Sequence, residues 1–148
     1  MKKFEFSLSH MRDYKERLLD EEKGVLQRVK NERDAIEEAI QRLDREFAEL
    51  SLKMVKAQTQ GTTIVELRKL SAQLDNVRLQ QEDLKKALQK AELKVEHQMK
   101  AVIAANQEVS KLDKLQERQY EEYRHQVNKA EEDRIDEFVS QNLARAAG

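Results

Sequence analysis

From Leu8 to Ala57, and again from Leu74 to Tyr123, apolar side chains recur at alternating steps of three and four residues, the spacing that lines one face of a long helix. Between the stripes lies G-T-T-I-V-E-L, Gly61 to Leu67, the one place where the helical pattern stops and restarts. So narrow a stripe is buried only against another stripe, which confines the chain to paired long helices. Composition agrees with this. There is no proline, glycine occurs only at Gly24, Gly61 and Gly148, and Ala, Glu, Lys, Leu and Arg supply 79 of the 148 residues, a coiled-coil signature. With 39% charged and 5% aromatic residues, the chain has too little bulky apolar surface to wrap a globular core.

The first stripe steps through Leu8, Met11, Lys15, Leu18, Glu22, Val25, Val29, Glu32, Ile36, Ile40, Leu43, Phe47, Leu50, Met54 and Ala57. Two successive steps of four between Glu32 and Ile40 predict a stutter that relaxes supercoiling. The second stripe runs through Leu74, Val77, Gln81, Leu84, Leu88, Ala91, Val95, Gln98, Val102, Ala105, Val109, Leu112, Gln116, Gln119 and Tyr123, and all its polar members are glutamine. Polar residues on a seam trade stability for register or for a looser contact; the alternative is that glutamine stems simply pack. Acid-before-base pairs four residues apart, such as Asp13 with Arg17, Glu38 with Arg42 and Glu82 with Lys86, support helix on the outward faces.

Gly61 can take the left-handed conformation that ends a helix. Thr63 and Glu66 then form S/T-x-x-E, a capping box that starts the next one. The prediction is an all-α chain: one domain, residues 1–148, built as a long antiparallel two-helix coiled-coil hairpin with a helix over about 7–58, a turn at 59–62 and a helix over about 63–145. Pairing about Gly61 puts residue i opposite roughly 122 minus i, so Phe4 meets the neighbourhood of Arg118. The expected rod is paired over about 80 Å, and its longer helix measures about 125 Å. From Gln119 to Gly148 a C-terminal helical overhang of roughly 45 Å has no internal partner. It still carries Tyr120, Tyr123, Val127, Ala130, Ile135, Phe138, Val139 and Leu143, a stripe that reads as an intermolecular surface. A fraying tail or a homodimer seam are the alternatives.

Several function classes are disfavoured. Without cysteine there is no disulfide framework and no thiolate nucleophile, and a reducing compartment is compatible. The N-terminus has no apolar signal region, and the longest apolar run is Ala101 to Ala105, so neither secretion nor direct membrane insertion is expected and the chain reads as soluble. Net charge of -1 with interleaved signs offers no basic stripe for nucleic acid. Partners are therefore expected to be proteins. A two-helix hairpin encloses no pocket for catalysis, so neither an enzyme nor a cofactor is expected. Glu122 and His125 make one E-x-x-H, half of the paired motif a di-iron bundle needs, and no glycine-rich phosphate loop occurs.

Two terminal stretches resemble the flagellar export protein family called FliJ. The opening, K-F-E-F-S-L-S-H-M-R-D-Y-K-E, is similar to that family's aromatic-x-aromatic start followed by an amphipathic helix. The more specific match is K-L-D-K-L-Q-E-R-Q-Y-E-E-Y-R-H-Q-V-N-K-A-E-E-D-R-I-D-E-F, Lys111 to Phe138: a leucine, Glu-Arg, Glu-Tyr-Arg, and an acidic run closing on Asp-Glu-aromatic. Length, hairpin position and unequal arms agree over the whole chain. The resemblance implies a cytoplasmic component of the flagellar type III export apparatus, peripheral at the inner face of the cell membrane. Such proteins look like the coiled-coil stalk of the rotary ATPase gamma subunit, although its additional globular domain has no counterpart here. The terminal end would insert into the hexameric export ATPase ring, the hairpin end would face the export gate membrane protein, and export chaperones would be further partners. Carried onto matching positions, the ring-facing residues are Arg118, Tyr120, Tyr123, Arg124, Arg134 and Phe138. The gate-facing ones are Leu70, Leu74, Val77 and Gln81, which also continue the hairpin seam, so that core and gate-facing roles both stay open.

Two other classes compete. A holdase chaperone of the prefoldin type is also a helical hairpin, but prefoldins interrupt their helices with β-hairpins and no period-two alternation occurs near Gly61. A homo-oligomeric coiled-coil scaffold would reveal itself by molar mass in solution.

Overall fold

The computed structural model describes residues 2–147. Two α-helices carry nearly all of them: α1, Ser9–Gln60, and α2, Ile64–Ala147, with no strand among the described residues. They pack against each other as an antiparallel hairpin, the all-α architecture that two long apolar stripes demand. Contacts group the chain into two units, one of Glu21–Ile103 and one of Met1–Asp20 with Ala104–Gly148.

In the unit of residues 21–103, the α1 seam runs through Glu22, Leu26, Val29, Arg33, Ile36, Ile40, Leu43, Phe47, Leu50, Met54 and Ala57, every one buried or half-buried. Its steps of four and three alternate without interruption. The expected stutter is absent because Glu32 faces solvent and Arg33 takes the seam position. The arginine is half-buried, as a long stem with a solvated head allows, and its guanidinium reaches the Asp34 carboxylate at 3.1 Å. The facing α2 stripe is deepest at Val77, Ala91 and Val95, and each of the two nearly covered valines stabilises by up to about 1.5–3 kcal/mol. Polar seam residues bond across the interface instead of packing passively. The Gln81 amide donates to Asp44 Oδ1 at 2.9 Å, and the Gln98 amide donates to the Glu22 carbonyl at 3.0 Å and to the Glu22 carboxylate. The Arg78 guanidinium lies 5.3 Å from the Phe47 ring centroid, a cation–π contact. The Asp44–Gln81 and Phe47–Arg78 pairs, those nearer the turn, put residue i opposite about 125 minus i, a shift of about three residues, less than one helical turn, from the expected register, whereas Glu22 and Gln98 sum to 120.

The shift has its cause at the turn. α1 continues to Gln60, and the Thr59 hydroxyl bonds back to the Val55 and Lys56 carbonyls at 3.0 and 3.2 Å instead of capping a new turn. Among the described residues Gly61 alone takes the left-handed conformation, with φ of 83°. Thr63 caps α2: its hydroxyl accepts the Glu66 amide at 3.2 Å, and its carbonyl accepts the Leu67 amide at 3.2 Å. The reciprocal half of the capping box, from the Thr63 amide to the Glu66 carboxylate, is not made; that carboxylate remains in solvent at the positive end of the helix. The connection is thus centred past Gly61, and the pairing follows.

In the unit of Met1–Asp20 with Ala104–Gly148, Phe6, Leu19 and Val109 are buried. Helix α1 starts at Ser9 instead of near residue 7 because the chain first turns at Phe6, whose carbonyl accepts the Ser9 amide at 3.1 Å. The segment before it runs non-helically along α2.

The two internal glycines should respond oppositely to alanine. Gly24 lies mid-helix and a methyl there meets nothing within 4 Å, so Gly24→Ala should stabilise by about 0.5–1 kcal/mol. Gly61→Ala also meets open space but must hold a left-handed backbone, at about 1–2 kcal/mol. Denaturant midpoints at constant m-value measure both, and shifts of equal sign would refute the assignment of the turn.

Candidate protein-docking surfaces

The terminal unit holds all six residues that the family resemblance implies would face an ATPase ring. Arg118, Arg124 and Arg134 are exposed on α2, Tyr120 and Phe138 are 46% and 64% exposed, and Tyr123 is half-buried. The two tyrosines come together, their ring centroids 6.4 Å apart, around a third aromatic, Phe4. Phe4 meets Tyr120 edge-on at 5.3 Å and Tyr123 at 5.6 Å, and the Tyr123 hydroxyl donates to the Lys2 carbonyl at 2.7 Å. The helix therefore does not lose its internal partner at Gln119, as the sequence register suggests. Every residue from 131 to 147 is exposed. Within that stretch Arg134 and Phe138 share an open cleft with Glu131 and Ile135, one helical turn apart from each other.

Just inside the aromatic group, Arg12 Nε donates to Asp113 Oδ1 at 2.8 Å, and Arg12 also pairs with Glu16. The bond to Asp113, opposed in part by desolvation, raises the Arg12 guanidinium above its ordinary pKa, so the arginine stays charged. Phe4 and Arg12 are the contributors that the apolar stepping missed. The aromatic-x-aromatic start Phe4-Glu5-Phe6 was the available signal for the first; an arginine on a seam gives none. Glu122 and His125 are both exposed, and no group of three potential metal ligands forms among the described residues.

The other set lies in the unit of residues 21–103. Leu70 and Leu74 are half-buried, Val77 is 3% exposed and Gln81 is bonded to Asp44, all on the seam face of α2. The outward apolar side chains on the turn half of this unit are others: Leu52 and Val55 on α1, Ile64, Val65 and Leu79 on α2.

A family model described as the flagellar FliJ protein matches residues 4–148, essentially the whole chain. The chain belongs to the FliJ family. It is accordingly a component of the flagellar export apparatus, in a family whose members are non-catalytic. No curated protein and no solved structure gives a match. Among the described residues, no helix is long and apolar enough to cross a membrane.

The Arg12 and Asp113 pair spans α1 and α2 next to the aromatic group, so its partners should be energetically coupled. Arg12→Ala and Asp113→Ala should each lower the melting temperature, and the double substitution should lower it by less than the two losses combined. Strict additivity would mean that the pair contributes no coupling.

Proposed function

We propose that this FliJ-family chain is the coiled-coil stalk of the flagellar type III export machinery. In this reading the terminal end of the hairpin inserts into the hexameric export ATPase ring and the turn end faces the export gate. The chain works in the cytoplasm at the inner face of the cell membrane, and export chaperones are further clients of its surface. The observation that carries the reading is the exposed end of α2, where Ile135, Phe138, Val139 and Leu143 are half to two-thirds open with no cover from α1. A helix of this length is marginal alone in water, and apolar side chains so concentrated at one end fit a protein partner. Arg134 lies beside Ile135 and Phe138, and Arg118 and Arg124 lie further back along the same exposed helix, where charge sets orientation and encounter rate more than affinity.

The decisive experiment measures ATPase stimulation with the end altered and the hairpin kept. Truncation after Ala130, or Ile135→Glu with Phe138→Glu, should reduce stimulation at least tenfold, equivalent to about 1.4 kcal/mol or more of lost contact, while helicity of the remainder persists. Full stimulation by the truncated chain would remove the terminal end from the ring.

For the gate, the reading assigns the first turns of α2, with Leu70 and Leu74 as half-open side chains and Val77 and Gln81 holding the backbone against α1. Leu70→Ala with Leu74→Ala should weaken gate affinity and also lower stability, by up to about 2 kcal/mol per leucine because both are only half-buried. Val65→Glu, at a position 72% exposed, should leave stability within about 0.5 kcal/mol and still weaken gate affinity. If Val65→Glu binds the gate normally and the leucine pair loses affinity only in step with unfolding, these turns are hairpin structure alone.

A further inference from the structure

Residues 2–6 belong to neither helix, yet they lie on α2. The segment is rooted at Phe6, which is 7% exposed and whose carbonyl accepts the Ser9 amide at 3.1 Å at the start of α1. Beyond that root it touches two residues of the proposed ring-facing set. Phe4 packs on Tyr120 and Tyr123 at 5.3 and 5.6 Å, and the Lys2 carbonyl takes the Tyr123 hydroxyl at 2.7 Å. A partner cannot contact the parts of Tyr123 that Phe4 and Lys2 already occupy.

We infer that residues 2–6 are a displaceable cap over the tyrosine pair, and that the cap and the ATPase ring compete for one face of α2. The inference rests on the reading that the terminal end faces the ring. Its physical basis is an imbalance of attachments. Phe6 is deeply held, whereas the outer part of the strap is fixed by one half-buried ring and one hydrogen bond. Lys2 and Lys3 make no ion pair among the described residues. Further along the helix, Ile135, Phe138, Val139 and Leu143 are open without any rearrangement. A ring can engage those turns first and gain the tyrosines once the strap lifts about Glu5. Only the uncapped fraction presents both tyrosines, so capping lowers the apparent affinity of the ring toward the value that the open turns beyond Ala130 give alone. The cap thereby sets a threshold for engagement without altering the hairpin.

The test uses the full-length chain titrated with the export ATPase. Phe4→Ala removes the capping ring from a residue outside both helices, and should tighten binding by about three- to tenfold with helicity unchanged. Phe4→Trp places a single tryptophan in a chain that has none, and its emission should shift to the red on ring binding as the strap lifts into water. Tyr123→Glu with Phe138→Glu, measured beside them, checks the underlying reading. If that double variant binds like the parent chain, the terminal end is not ring-facing and the reading itself falls. If it loses binding while Phe4→Ala binds equally or more weakly, or while the tryptophan emission stays put, the reading stands and the cap is wrong.

Discussion

Two helices in contact have no interior. Each buries one stripe, and the far side of every residue on that stripe still sees solvent, so the described residues include no buried polar group and no large side chain that is completely covered. Almost every other property of the fold follows from this geometry. Stability must be distributed thinly along the seam, in increments of a few kcal/mol at Leu50, Val77, Val95 or Val109. Polar residues are admissible on the seam because their ends can reach water or a partner across the interface, as Gln81 does to Asp44 and Gln98 does to Glu22. Long side chains that would be excluded from a globular core, Arg33 for example, serve as covers with their charges outside.

That same thinness explains what the sequence revealed and what it concealed. The α2 stripe was legible in full: every position from Leu74 to Tyr123 on the three-four spacing is buried or half-buried, because apolar residues and glutamines marked it without competition. On α1 the stepping slipped by one residue. Leu18 and Leu19 are adjacent, as are Val25 and Leu26, and either member of each pair satisfies a period of three and four. The deeper one, Leu19, at 5% exposure, was the one passed over. The slip then forced a false stutter, since Arg33 looks like surface to any reading that counts only apolar residues. The turn was legible through chemistry instead of periodicity. Only glycine carries a φ of 83° without strain, and a threonine three residues before a glutamate announces a cap, although only the threonine half of the box is used.

The docking surfaces were legible to a lesser degree for a related reason. The pairing register already brought Phe4 to the neighbourhood of Arg118, within a turn or two of Tyr120 and Tyr123, but an irregular segment has no period, so the hold of residues 2–6 on those two rings was not in the stepping. Near the turn the difficulty is inverted. A leucine at a seam position and a leucine offered to a partner have the same spacing, and only the structure separates Val77, which is covered, from Val65 and Leu79, which are open.

Beyond Ala130 the supports change kind. No α1 residue and no strap residue covers these turns, so the helix from 131 to 147 is held by its own hydrogen bonds and by Arg145 in the last turn set against the negative end of the helix dipole. Such terms contribute a few tenths of a kcal/mol each, comparable to thermal energy, and by themselves leave a helix of this length near the balance point between ordered and frayed. A partner that binds it must therefore supply the ordering free energy as well as the contact energy, which lowers affinity per unit of area. The compensation is selectivity. Docking that depends on completing a marginal helix discriminates against surfaces unable to match Ile135, Phe138 and Leu143 along its length, because a partial match leaves the ordering cost unmet.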